Sequence, residues 1–194
     1  NPAELRNAML VPARHIIDTI ATSHEFFNTS KIPDSRYKRQ DYVTHLFGIA
    51  AYKGQKNIKA PDLKRMILEF GANEVPQLLA IAKDVNNALS VLVEVEKQLN
   101  YWLTQKWLFV DLVWLIMQQQ AAGIEVNIDD LASNFGEFEQ LRRRYTRRPE
   151  DLLQTTKVSV SNKRLYEYII AFRAQGATHT NLKLRNNALR SFCL

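Results

Sequence analysis

Between Trp107 and Met117 the chain places one polar residue, Asp111, among ten apolar ones. The wider stretch from Trp102 to Gln118 holds all three tryptophans. A surface helix carries an apolar stripe and a polar side, but this segment is apolar nearly all round. The pattern therefore predicts a helix buried on several sides, with other helices packed about it. Burying one such large side chain contributes roughly 1.5–3 kcal/mol, which makes this segment the expected anchor of the core. A membrane span needs about 18–20 apolar residues. Lys106 and the run Gln118-Gln119-Gln120 cut this one short, so no membrane partner is expected.

Helix signals punctuate the rest of the chain. Asn1 and Pro2 open a short helix to about Leu10, and Pro12 starts a second, to Ala21. Ser23 to Pro33 reads as a loop that tucks Phe26 and Phe27 back on the core. Asp34 looks like the cap of a helix running to about Tyr52. Pro61-Asp62 opens another, ended by Gly71, and Pro76 starts the longest, to about Asn100. Asn127 or Asp129 caps a helix to about Tyr145. Lys157 to Ser161 alternates like a strand but has no partner strand, so it is expected to be extended loop. Two closing helices follow, from Asn162 to about Arg173 and from Asn181 to about Phe192. No repeat of 20 to 50 residues is present. The expectation is an all-α, multi-helix bundle of eight or nine helices around the Trp-rich helix, forming a single domain over residues 1–194.

Charge divides that domain. Residues 1–140 carry 14 Lys+Arg against 17 Asp+Glu, whereas residues 141–194 carry 12 against 3. The net +6 thus conceals a mildly acidic helical core and a strongly basic last quarter. A lone cysteine, Cys193, rules out an internal disulfide and suggests a reducing compartment, the cytoplasm. The first residues show no apolar signal-peptide core and no initiating Met, so a fragment of a longer protein is expected.

Chemistry is hard to find. None of His15, His24, His45 and His179 lies three to five residues from another His, and there is no Cys pair, so no zinc motif exists. Ser23-His24-Glu25 places three suggestive residue types together, but adjacency in sequence is not triad geometry. Neither type of Gly-rich phosphate loop occurs. The paired carboxylates Glu94/Glu96, Asp129/Asp130 and Glu137/Glu139 are too closely spaced to face each other on a helix. No catalytic residue, metal site or cofactor is expected. An enzyme survives only as a third hypothesis, with residues converging in the fold around His45, Asp111 and a nearby arginine.

The basic end offers a partner. Arg142, Arg143, Arg144, Arg147 and Arg148 straddle the end of one helix; Lys163, Arg164, Lys183 and Arg185 follow on the last two. Arginine donates paired hydrogen bonds to phosphate, and a basic face releases counterions from nucleic acid. These nine residues are the candidate nucleic-acid-binding set, with DNA as the expected partner. Two plainer readings compete: cations offsetting a helix dipole, and cations meeting an acidic protein domain. Asp130 to Gly136 also has the residue types of the first helix and turn of a helix-turn-helix, but Glu137 and Glu139 would open its recognition helix and repel phosphate.

Asn1-Pro2-Ala3-Glu4-Leu5-Arg6-Asn7-Ala8, the Phe26-Phe27 loop, Arg36-Tyr37-Lys38-Arg39 leading into Asp41-Tyr42-Val43-Thr44-His45-Leu46-Phe47, and the Arg-rich end together resemble one family. It is the helical region that follows the ParB-like domain in GmrSD-type restriction proteins. The resemblance spans most of the chain and is specific near residues 1–50. It implies a helical, non-catalytic module of a prokaryotic restriction or anti-phage protein, packed on an upstream ParB-like domain. That domain's Asp-Gly-Gln-Gln-Arg motif and the downstream HNH nuclease of some members are absent here, so no catalytic residue carries over.

Overall fold

The computed structural model describes residues 11–73, 75–154, 157–174 and 176–194. Among them the chain is all-helical: α1 (Pro12–Ser23), α2 (Glu25–Thr29), α3 (Lys38–Ala51), α4 (Ala60–Asn73), α5 (Val75–Gln98), α6 (Lys106–Ala121), α7 (Ile128–Tyr145), α8 (Val160–Arg173) and α9 (His179–Cys193). Single 3-10 turns, Ser35–Tyr37 and Pro149–Leu153, precede α3 and α8. The expected helix up to Leu10 lies outside the described residues.

Local chemistry accounts for the starts. Pro12 occupies the first turn of α1, where its missing N–H costs nothing. Asn127 caps α7 by accepting hydrogen bonds from the Asp129 and Asp130 amides. Ser159 and Thr178 cap α8 and α9 in the same way, through the Asn162 and Asn181 amides. Both closing helices therefore begin two residues before the expected positions, because the hydroxyl residues rather than the asparagines act as caps. The Phe26-Phe27 segment is a short helix, not a loop, capped by His24 Nδ1, which accepts from the Phe26 amide at 3.1 Å. Both phenylalanines are fully buried, as expected.

α6 occupies the interior, packed on α5, α3 and α9. Its buried residues are Leu108 to Val113 and Leu115 to Met117, with Gln119. The tryptophans do not form its centre. Trp102 precedes the helix and is 50% exposed, under the Lys31 ammonium. Trp107 and Trp114 are partly buried at the helix margins. Phe109, Val110, Leu112, Val113 and Ile116 are the residues α6 buries completely. The longest helix, α5, is the more widely connected element, packing on α1, α2, α3, α4, α6 and α7.

α7 runs unbroken through Gly136. There is no turn at Gly136, so the helix-turn-helix reading is overturned. The 3-10 turn, α8 and α9 form a closing layer: α9 lies on α8, α7 and α6, and α8 lies on the 3-10 turn and α9. No described helix is long and apolar enough to cross a membrane.

Candidate nucleic-acid interface

The nine candidate cations divide into three groups. Arg185 is completely buried. Its Nε and Nη2 donate to the two carboxylate oxygens of Asp111 at 2.6 and 3.0 Å, and its Nη1 donates to the Gly176 carbonyl at 2.8 Å. The guanidinium lies 4.6 Å from the Trp107 ring centroid. Tyr168, also buried, donates its hydroxyl to Asp111 Oδ2 at 3.0 Å. Burial pushes the Asp111 carboxyl above its ordinary range, and the Arg185 charge and the two side-chain hydrogen bonds oppose that shift. Gly176 is required here by space, since a Cβ on it would stand 2.5 Å from the Trp107 indole.

Arg142 is buried as well. It donates to both oxygens of Glu139, itself 1% exposed, and stacks 4.7 Å from the Phe172 ring. Arg142 and Arg185 are therefore removed from the expected DNA-binding set: each is shut from solvent and neutralised inside the protein. Arg143 is half exposed but shares Glu139, at 2.6 Å, and covers Tyr101. Arg148 pairs with Asp151 at 3.8 Å, and Arg164 with Glu167 at 3.1 Å.

Arg144, Arg147, Lys163 and Lys183 remain exposed, joined by Arg173 and Arg190. None of the six forms an ion pair among the described residues. Their positions distinguish the competing explanations. Arg173 and Arg190 lie in the last turns of α8 and α9, where a cation offsets the helix dipole. Lys163 and Lys183 lie near the opposite ends, beside the first turns of the same helices. The dipole term of the last turn therefore does not account for these two lysines.

The constellation imagined for an enzyme does gather around Trp107. His45 meets the indole edge-on at 5.3 Å, and Arg185 covers it next to Asp111. Asp111 and Arg185 are buried and hydrogen-bond to each other, to Tyr168 and to Gly176. Cys193 is buried, and burial pushes its thiol up to about 12, far from a reactive thiolate. Among the described residues no group of three His, Cys, Asp or Glu could hold a metal ion.

The sequence pointed to Asp111 and a nearby arginine but named neither Arg185 nor Tyr168 as its partners. Its one available signal was Asp111 itself, the sole polar residue in an otherwise apolar run, which a buried position obliges to find a partner. The class defined by these observations is an all-α bundle closed by a basic helical hairpin. No protein-family model matches the chain, and neither a curated protein nor a solved structure is similar to it.

Proposed function

We propose that this chain is a non-catalytic helical module that binds duplex DNA through the exposed cations of its last quarter. The observation that carries the reading is the pair Lys163 and Lys183. Both are exposed, and neither has a carboxylate partner among the described residues. An anion outside the chain supplies what the chain itself does not. Arg144, in the last turn of α7, and Arg147 just beyond it are exposed as well. The likeness to GmrSD-type proteins supports a narrower form: a cytoplasmic module of a restriction or anti-phage protein, beside a ParB-like domain.

The test is fluorescence anisotropy with a labelled duplex across a salt series. Binding is expected at low salt and falls steeply as salt rises. The triple variant R147E/K163E/K183E, changed only at exposed positions, weakens it. Undiminished binding by that variant overturns the assignment.

A specific feature favours a second reading, a protein-interaction surface. Val160 is 74% exposed and Ile170 40%, and their spacing from Lys163 places all three on one side of α8. Apolar groups among cations suit an acidic protein surface, such as an upstream ParB-like domain. Tight association with that domain, together with no DNA affinity at low salt, would select it.

A further inference from the structure

The loop between α3 and α4 has a charge pattern that the division into an acidic core and a basic end conceals. From Tyr52 to Ala60 it holds Lys53, Lys56 and Lys59 and no Asp or Glu. Lys56 and Lys59 are exposed, and neither forms an ion pair among the described residues. Lys56 Nζ lies 4.5 Å from the Tyr52 ring centroid, a contact that leaves its charge uncancelled. The next acidic residue along the chain is Asp62, at the start of α4. Its Oδ2 accepts a hydrogen bond from the Lys59 amide at 3.1 Å.

The fold sets this loop against the start of α9. The Ile58 amide donates to the Ala177 carbonyl at 2.8 Å, and the His179 amide donates to Asn57 Oδ1, also at 2.8 Å. His179 Nδ1 lies 3.0 Å from the Gly54 carbonyl oxygen. Ile58 itself is completely buried. The backbone that carries Lys56 and Lys59 is thus fixed both to α9 and to the core, which lowers the cost of ordering it around a partner. Lys183 stands one helical turn beyond His179, on the same side of α9. Side chains on a helix tilt toward its N-terminus, so Lys183 leans toward the turn that the loop covers. Exposed cations from two distant segments therefore border one joint: Lys56 and Lys59 from the loop, Lys183 from the helix.

We infer that duplex DNA held by the closing hairpin also crosses this joint, with Lys56 and Lys59 contacting phosphates next to those that Lys183 contacts. The inference rests on the proposed function. It adds to that surface two residues from the part of the chain in which acidic residues outnumber basic ones. Such contacts are to the DNA backbone, so they contribute affinity and orientation, not sequence preference.

Anisotropy of the whole chain with a labelled duplex across a salt series tests it. K56A/K59A, changed at two exposed positions, is expected to reduce the slope of log Kobs against log salt by roughly 2 and to raise the Kd about ten-fold at low salt. Its melting curve is compared with that of the parent. Lysine acetylation of the unaltered chain, read by mass spectrometry, supplies a measurement that needs no variant: the duplex is expected to protect Lys56 and Lys59 together with Lys183. Binding by K56A/K59A with the parent's slope, or protection of Lys183 without Lys56 and Lys59, overturns this inference and leaves the proposed function standing. Absence of duplex binding by the parent chain at low salt overturns both.

Discussion

Arg185 holds Asp111 at both carboxylate oxygens across 74 residues of chain, joining the last helix to the innermost one. The pair is completed by the Tyr168 hydroxyl and by the Gly176 carbonyl. Two charges removed from water gain little on balance even in good geometry, but removing one of them strands the other.

That asymmetry gives the first prediction. D111A or R185A is expected to destabilise the fold by about 3–5 kcal/mol. The double variant D111L/R185M should recover a substantial part of the loss, because it leaves no orphaned charge. Urea denaturation of the three variants measures both effects, and a double variant no better than the singles would contradict the account.

Gly136 supplies a second. It lies inside α7, and a Cβ there would meet only Leu99, at 4.0 Å. G136A should therefore raise stability by about 0.5–1 kcal/mol, the helix-interior difference between glycine and alanine. A lower melting temperature would contradict that account.

The third concerns pH. Burial depresses the pKa of His24 below its ordinary value, with a backbone hydrogen bond at Asn86 and the Glu25 charge opposing. Neutral Nδ1 caps α2, and protonation removes that acceptor. The native state thus binds fewer protons than the unfolded chain around and below the ordinary histidine pKa of about 6.5. The His24 contribution is complete above that value and is lost as pH falls through the folded-state pKa. H24N keeps a capping acceptor and should flatten this part of the stability profile, as read from melting temperatures across that window.

The basic surface yields a fourth. If Arg147, Lys163 and Lys183 each neutralise one phosphate, replacing all three with alanine should reduce the slope of log Kobs against log salt by roughly 3. Anisotropy at four or more salt concentrations measures the slope, and an unchanged slope would exclude them from the contact.

Most of the fold was legible in the sequence because helix periodicity and capping are local. Pro12, Asn127 and the apolar run after Lys106 each act within a few residues of themselves. Burial of individual polar groups is not local. Nothing in Leu184-Arg185-Asn186 distinguishes Arg185 from Lys183, since the difference arises only when α9 turns one side toward Asp111. Arg142 and Arg143 are adjacent, yet a 100° step on α7 buries one and half exposes the other. The candidate cations were therefore correct as a charge count and mixed as a surface.

The joint between Asp111 and the closing hairpin also orders events at the ribosome. Asp111 emerges first, Tyr168 follows 57 residues later and Arg185 74 residues later. At about 5–20 residues per second, the carboxylate waits roughly 4–15 s for its counter-charge. Throughout that interval the Asp111 carboxylate is better kept hydrated than buried without its partner.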